Sequence, residues 1–429
     1  MGNTKNRVLS GMRPTGRLHI GHYFGALQNW VRLQNDSAYE CFYFIADWHA
    51  LTSDYADTSG VAENTLQIMI DYLAAGLDPA KSVIFQQSAV PEHAELHLLL
   101  SMVTPLGWLE RVPTYKEALE NVKDKDLHNY GFLGYPVLQT ADIVIYSEEG
   151  TPLFVPVGED QVSHVELSRE IVRRFSLFYG FLIDQRLFAM EHREVFNRIV
   201  QMANVHMTQN DFSETLSELP WSAESMLDRA LRRHVARVGV DNFLAAVPEP
   251  YSSDFFRKRE IVSEPRVMLT RTPRIPGLDG RKMSKSYGNA ITLSETDEEI
   301  RKKTKVMVTD PARKRRTDPG NPDVCPVYDW HKLFSTRETL DWAAAGCRSA
   351  GIGCIECKAK MADHLIEWIA PVRERRVEYE MNPKRVLDIL DAGSKRARVV
   401  AQGTMERVRE AVFGWEKKRK EIGGSAAKA

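Results

Sequence analysis

Three things are scarce in this chain of 429 residues: cysteine, an excess of charge of either sign, and long apolar runs. It has five cysteines, and its 57 basic residues nearly balance 58 acidic ones, for a net charge of −1. No apolar run approaches the ~20 residues that a membrane helix needs, and residues 1–10 lack the apolar core of a secretion signal. We therefore expect no membrane span and a cytoplasmic location.

Glycine and proline are also not in excess, which excludes collagen-like and disordered compositions. Hydrophobic residues make up 43% and charged residues 27% of the chain, as in an ordinary globular protein. At roughly 100–200 residues per domain, the length predicts two or three domains.

The first hundred residues alternate two kinds of pattern. Apolar runs rich in β-branched or aromatic residues at 8–12, 41–46 and 83–85 are typical of buried parallel strands, and the patterns between them at 19–33 and 61–75 are helical. A βαβαβ order with right-handed crossovers predicts an α/β fold with a doubly wound, Rossmann-like parallel sheet. Residues 176–261 and the chain after about residue 300 are predicted to be mostly helical, with Ser222 as the N-cap of one helix.

Two short motifs indicate phosphate chemistry. His19-Ile20-Gly21-His22 follows the first strand and opens a helix, where free N–H groups and the helix dipole favour an anion. Gly21 leaves room for a nucleotide, and both histidines can donate hydrogen bonds to phosphate oxygens. Lys282-Met283-Ser284-Lys285-Ser286 places two ammonium groups three residues apart in a loop. Each motif alone is weak, but together and in this order they favour a nucleotide site.

With these motifs, the chain resembles the class I aminoacyl-tRNA synthetases, and three further segments narrow the resemblance to the tryptophanyl family. They are GMRPTG at 11–16, DWHALT at 47–52, and VPVGEDQ at 155–161 followed by His164. The resemblance covers about residues 7–175 and 262–420. We call the two phosphate motifs HIGH (19–22) and KMSKS (282–286) after that family.

The resemblance implies a tryptophan–tRNA ligase that uses ATP with Mg²⁺, L-tryptophan and tRNA(Trp) and forms a homodimer. It implies a catalytic domain at 1–175 and 262–300, a helical insertion at 176–261, and a helical anticodon-binding domain at 301–429. The implied catalytic residues are His19, His22, Lys282 and Lys285. The implied ATP-binding residues are Arg13, Pro14, Thr15, Gly21, His22, Gly158, Glu159, Asp160, Val267, Lys282, Met283, Ser284, Lys285 and Ser286. Carboxylate attack on the α-phosphate needs positioning and charge stabilisation but no protein nucleophile.

A third set of residues concerns the amino acid. Tyr135, Gln139, Asp142 and Tyr146 follow helical spacing and share one face. A polar stripe at the rim of a core is the alternative interpretation. In the tryptophanyl family the position of Asp142 accepts the indole N–H, so the resemblance implies a tryptophan site of His49, Tyr135, Gln139, Asp142 and Gln161. Gln139 and Arg13 differ from the Met and Gln of some family members.

Four of the cysteines are close in sequence: Cys325, Cys347, Cys354 and Cys357, spaced C-x21-C-x6-C-x2-C. Such a cluster in a reducing compartment indicates metal ligands more than disulfides. The spacing resembles that of tryptophanyl enzymes with a C-terminal [4Fe–4S] cluster; zinc and free thiols are the alternatives.

Other functions stay open at this point. A tyrosyl enzyme, a catalytically silent RNA-binding paralogue and a different nucleotidylyltransferase could each carry some of these motifs. The run at 301–316 holds eight Lys or Arg against one acid. It is either a basic segment exposed to solvent or a surface that binds the phosphate backbone of a nucleic acid.

Overall fold

The structure is a computed structural model that describes residues 5–121, 126–205, 220–270 and 275–416, together with 418, 419 and 422. Its strands are β1 Asn6–Met12, β2 Tyr39–Ile45, β3 Ser82–Gln86, β4 Leu153–Val157, β5 Phe181–Ile183, β6 Phe256–Lys258 and β7 Pro265–Leu269. No helix in these ranges is long and apolar enough to cross a membrane.

The helices of the first half are α1 Ile20–His22, α2 Gln28–Gln34, α3 Asp47–Asp54, α4 Val61–Ala75, α5 Glu92–Ser101, α6 Leu106–Leu109, α7 Pro113–Asn121, α8 Tyr130–Val144 and α9 Val162–Tyr179. Those of the second half are α10 Arg193–Met202, α11 Pro220–Val238, α12 Val240–Ala246, α13 Tyr251–Phe255, α14 Asp297–Lys305, α15 Pro326–Phe334, α16 Arg337–Arg348, α17 Cys354–Glu380 and α18 Pro383–Phe413.

Five strands form one parallel sheet in the order β3-β2-β1-β4-β7. The chain winds outward from β1 to one edge and then returns through β4 to the other, so the predicted doubly wound fold is confirmed. Its switch point lies between β1 and β4, and ligands of such sheets bind outside the carboxyl ends of the strands there.

Alternate residues of the strands enter two hydrophobic cores. Val8 and Tyr43 belong to the core on one face of the sheet, while Leu9 and Phe42 belong to the core on the other. Helices α4 and α17 contribute to the first core, and α5, α8 and α18 to the second. This arrangement explains why the strands are continuous apolar runs in the sequence: both faces of the sheet are covered.

The C-terminal helices are part of this architecture. Helix α18 runs along the edge strand β3, where the hydroxyl of Ser394 accepts a hydrogen bond from the backbone N–H of Gln86 over 3.2 Å. A Cβ at Gly393 would collide with the carbonyl oxygen of Ile84, so glycine permits this approach. The helix thereby covers an edge that would otherwise present unpaired backbone groups.

The described part of the insertion has a core of its own. Phe181, Phe243 and Phe256 pack together in it, and β5 pairs with β6 as a two-stranded antiparallel sheet that the sequence did not predict. Ser222 is not an N-cap, because α11 already begins at Pro220. Strand β7 then returns the chain to the main sheet beside β4.

Candidate active site

The HIGH motif begins a helix at the carboxyl end of β1. This stretch, predicted as one regular helix over 19–33, contains a π-helical segment at Tyr23–Leu27 between α1 and α2. The backbone N–H of Ile20 donates to Ile291 O over 3.0 Å, and Leu293 N–H donates to Leu18 O over 2.9 Å. The motif is thus fixed to the segment that follows KMSKS.

The two histidines of the motif cap their own helix reciprocally. Nδ1 of His22 accepts from the backbone N–H of His19 over 3.2 Å, Nδ1 of His19 accepts from that of His22 over 3.3 Å, and the rings stack at 3.6 Å. Burial is the main cause, and the charge of Lys285 the second, that lowers the pKa of His19 to about 4. Burial is also the main reason that the pKa of His22 lies well below its usual range, followed by the charges of His19 and Lys285. Both rings are therefore neutral at pH 7. Since Nδ1 accepts, the proton of each ring is on Nε2, which can donate.

The KMSKS loop lies against the loop before HIGH. Nζ of Lys285 donates to the carbonyl oxygens of Thr15 over 2.8 Å and Arg17 over 3.0 Å. Gly16 between them has φ +103°, and a Cβ there would lie 3.3 Å from that ammonium. Lys282 is 90% exposed and lies 4.0 Å from the carboxylate of Asp160. The two lysines thus have different settings, one held and one extended into solvent.

A buried asparagine organises this loop. Asn289 accepts from the backbone N–H of Ser284 over 2.7 Å and donates to Lys282 O over 3.1 Å and to Asp279 over 2.7 Å. Met283 is buried in the core. Ser286 lies in the 3₁₀ turn Lys285–Tyr287, but its side chain is outside what the structure describes.

A cavity of about 710 Å³ opens at the switch point. No described residue of HIGH or KMSKS lines it, but Gly25 and Ala26, in the helical segment that follows HIGH, do. All five residues of the predicted tryptophan site line it: His49, Tyr135, Gln139, Asp142 and Gln161. Arg13 and Gly158 of the predicted ATP set line it too. Elements that are far apart in sequence therefore converge on one space.

Asp142 is held in this cavity by three hydrogen-bonding side chains. His49 Nε2 lies 2.7 Å from one carboxylate oxygen, and Gln87 Nε2 and His93 Nδ1 lie 2.8 and 2.6 Å from the other. Burial raises the pKa of Asp142, but the hydrogen bonds and charges of the two histidines outweigh burial and hold it below its usual range. The carboxylate is therefore an anion inside the protein, with three donors and room for a fourth.

His93 connects this carboxylate to Tyr146. Its Nε2 lies 2.8 Å from the phenol oxygen, and both side chains are completely buried. Because Nδ1 donates to the carboxylate, the ring of His93 links Asp142 directly to the phenol of Tyr146. Gln87, in the turn after β3, and His93, in α5, were missed by the sequence analysis, since only the tertiary fold places them next to Asp142 in α8.

A second polar group also lines the cavity. The hydroxyl of Tyr135 lies 2.6 Å from Thr114 Oγ1 and 2.9 Å from His164 Nε2. Burial is the main reason that the pKa of Tyr135 is raised and that of His164 is lowered. These groups are neutral hydrogen-bonding surfaces rather than charges.

None of the other predicted ATP residues that the structure describes lines the cavity. Pro14 is buried and Thr15 exposed in the loop after β1, and Glu159 and Asp160 are exposed in the 3₁₀ turn after β4. Val267 packs within β7 against the second core and does not line the cavity. Its side chain therefore belongs to the sheet.

The four clustered cysteines occupy one region of the C-terminal helices. Cys325 precedes α15, Cys347 lies near the end of α16, and Cys354 and Cys357 lie in the first turn of α17. Burial, followed by the charges of the other three thiols, raises the pKa of Cys357 to about 12, which shows that all four are within electrostatic range. Among the described residues, no three His, Cys, Asp or Glu side chains stand close enough to hold a metal ion.

Comparison with known proteins agrees with the site. The family model of class I tRNA synthetases (W and Y) matches residues 1–208 and 245–369. A tryptophan–tRNA ligase of Ralstonia nicotianae is 47% identical over 408 residues, covering 95% of this chain and 98% of that protein. A tryptophan–tRNA ligase of Thermotoga maritima is 43% identical over 407 residues, with the same coverage.

A solved tryptophanyl-tRNA synthetase of Campylobacter jejuni, complexed with ADP and tryptophan, superposes with a TM-score of 0.67 at 28% identity, covering 95% of this chain and 99% of that one. The chain therefore belongs to the class I aminoacyl-tRNA synthetases, in the family of the tryptophan and tyrosine enzymes. Its activity is that of a tryptophan–tRNA ligase, and the tyrosyl alternative is not favoured.

Proposed function

We propose that the cavity binds L-tryptophan and that the HIGH and KMSKS motifs bind ATP at its mouth. The observation that carries this proposal is the convergence of His49, Tyr135, Gln139, Asp142 and Gln161 on one cavity. Gly25 and Ala26, in the helical segment that follows HIGH, also line it. The carboxylate of tryptophan would attack the α-phosphate of ATP, forming tryptophanyl-adenylate and releasing pyrophosphate. The amino acid would then pass to tRNA(Trp).

Asp142 would select the side chain. Its anionic carboxylate keeps an acceptor position beside His49, and the indole N–H would fill it. Phenylalanine would leave this buried acceptor unpaired, which is how a site rejects a ligand that lacks a donor.

His19 and His22 would donate from Nε2 to phosphate oxygens, since their neutral tautomers are fixed by the reciprocal cap. Lys285, held by two carbonyl groups, and the more extended Lys282 would stabilise the charge that develops on pyrophosphate. The rest of the nucleotide would be surrounded by Arg13, Pro14, Thr15, Gly21, Gly158 and the 159–160 turn.

Mg²⁺ would enter with ATP. The exposed carboxylates of Glu159 and Asp160 suit this hard cation, and the described residues contain no preformed metal site. Mg²⁺ commonly binds through substrate phosphates and one or two carboxylates, where it neutralises phosphate charge.

Tryptophan-dependent exchange of pyrophosphate into ATP tests the proposal. Purified protein should catalyse exchange with tryptophan and far less with tyrosine or phenylalanine. Exchange that depends on tyrosine, or no exchange at all, would contradict it. The second result would favour the silent paralogue.

We further propose that the basic run contributes to tRNA binding. Of its eight cations, Arg301 pairs with Asp363, Lys303 pairs with Glu295 and Arg313 is buried, whereas Lys302, Lys305, Lys314, Arg315 and Arg316 are exposed. Contacts of this kind with phosphates weaken as salt rises. The KM for tRNA should therefore increase with salt more steeply than the KM for tryptophan.

A homodimer is proposed from the family resemblance. We propose an apolar surface at helices α5 and α6 as the dimer interface. Its large side chains are exposed: Leu98 in α5 by 53%, Met102 between the helices by 71%, and Leu106 in α6 by 62%. A dimer in sedimentation that dissociates in Met102→Asp would support this surface. A monomeric native protein would contradict it.

For the cysteines we propose a [4Fe–4S] cluster with Cys325, Cys347, Cys354 and Cys357 as ligands. The four thiols share one region. Their spacing resembles that of family members with such a cluster, and zinc is the alternative. Burial is the main reason that the pKa values of Cys347 and Cys357 are raised, so these two thiols need a cation to become thiolates. Bound there, the cluster would stabilise the start of α17 and supply no chemistry to amino-acid activation.

A further inference from the structure

A buried ion pair connects the C-terminal helices to the HIGH motif. Asp71 lies in the second half of α4 and is completely buried, and Arg376, near the end of α17, is 2% exposed. Nη1 of Arg376 bonds one carboxylate oxygen of Asp71. The two residues are 305 positions apart, so only the packing of α17 on α4 brings them together.

The second oxygen of Asp71 faces the nucleotide site. It accepts the backbone N–H of Leu18 over 2.7 Å, one residue before the first histidine of HIGH. Leu18 also accepts, through its carbonyl, the N–H of Leu293 beyond KMSKS. The carboxylate therefore fixes the backbone where the two nucleotide motifs meet.

The charge of Asp71 also reaches Lys285. Burial lowers the pKa of this lysine, and the negative charge of Asp71 counteracts that effect. The same lysine is bound by the carbonyl groups of Thr15 and Arg17, in the loop whose end Asp71 holds. One carboxylate thus supports both the position and the charged state of the held lysine.

We propose that Asp71 and Arg376 are positioning residues for adenylate formation, through which helix α17 sets the place of the HIGH turn and of the Lys285 ammonium. Neither residue lines the cavity, so both act through Leu18 and Lys285. This inference rests on the proposed role of Lys285.

The energetics of buried ion pairs provide a way to test it. Removing one partner of a buried ion pair is strongly destabilising, whereas replacing both with well-packed hydrophobic groups of similar volume is often neutral or stabilising. The double variant Asp71→Asn with Arg376→Met removes both charges and should therefore be more stable than either single variant. The Asp71→Asn substitution keeps an oxygen for the Leu18 N–H, so the double variant chiefly removes the charge beside Lys285.

The experiment measures unfolding by urea and tryptophan-dependent pyrophosphate exchange for both single variants and the double variant. Arg375→Met is the matched control, because Arg375 also joins α17 to α4, through Ala74 O over 2.7 Å, without touching Asp71. We expect the double variant to be more stable than either single variant and to have a KM for tryptophan within about twofold of native. Its kcat should fall roughly tenfold, the scale on which one partly buried charge changes a rate. Arg375→Met should keep its kcat.

Recovery of both stability and kcat in the double variant would show that the pair is only structural and would overturn the proposal. An equal loss of kcat in Arg375→Met would overturn it as well, because any loosening of α17 would then suffice. Full exchange activity in Lys285→Ala would instead refute the assignment of the lysine on which the inference rests.

Discussion

His49 donates from Nε2 to Asp142 over 2.7 Å, and so joins the helix after β2 to a helix 93 residues further along the chain. Asp142 must be the acceptor, because its pKa is held below its usual range by the hydrogen bonds of His49 and His93, which outweigh its burial. The proposed indole acceptor is therefore charged and fixed before any ligand arrives. Preorganisation of this kind reduces the ordering cost of binding.

The first prediction concerns Asp142. Asp142→Ala should raise the KM for tryptophan at least tenfold and reduce the discrimination against phenylalanine, because a hydrogen bond to a charged group contributes about 1.5–3 kcal/mol. Pyrophosphate exchange with both amino acids measures this. Asp142→Asn keeps the size and one acceptor oxygen and should fall between native and Ala. Native kinetics in Asp142→Ala would mean that the pocket is misassigned.

A second prediction separates the two lysines of KMSKS. Lys285→Ala should lower kcat for exchange far more than it changes tryptophan affinity, because its charge acts mainly in the transition state. Lys282→Ala should have a smaller effect, since its ammonium is exposed and lies 4.0 Å from Asp160. Equal losses of kcat and of tryptophan affinity in Lys285→Ala would count against a role in phosphate chemistry.

The buried histidine His19 predicts a pH dependence of stability. Burial and the charge of Lys285 lower its pKa from the ordinary 6.5 to about 4 in the folded state, so the unfolded chain binds the proton more readily between these pH values. The free energy of unfolding should fall as the pH drops from 6.5 to 4, and this decline should be smaller in His19→Asn. Urea titrations at about pH 7.5 and about pH 5, on either side of the ordinary histidine pKa, check this, with His128→Asn as the exposed control. An undiminished decline in His19→Asn would contradict the neutral buried ring.

The cysteine region provides the fourth prediction. Anaerobically purified protein should be brown with about four irons per chain, and Cys354→Ser should bleach it. That variant should retain most tryptophan activation while losing tRNA charging or C-terminal stability, because the thiols lie away from the cavity lining. Colourless protein with stoichiometric zinc would refute the cluster.

The sequence by itself determined the features that depend on neighbouring residues. The three strands before residue 90, the helix at 61–75 closed by Gly76, and the two phosphate motifs are local patterns, and the structure has each of them. Their chemistry is local too: a helix start offers N–H groups wherever it occurs. The doubly wound sheet could also be predicted from the sequence, because connections between parallel strands are almost always right-handed.

Only the tertiary structure decided which groups meet. The donors to Asp142 come from three other elements, and Asp71 is paired with a residue of the C-terminal helices. The sheet strand β7, by contrast, carries Val267 into a core and away from the cavity. Which side chains meet depends on how the helices pack against the sheet. A buried charge needs a partner close to it in space, and that partner can come from any position in the sequence.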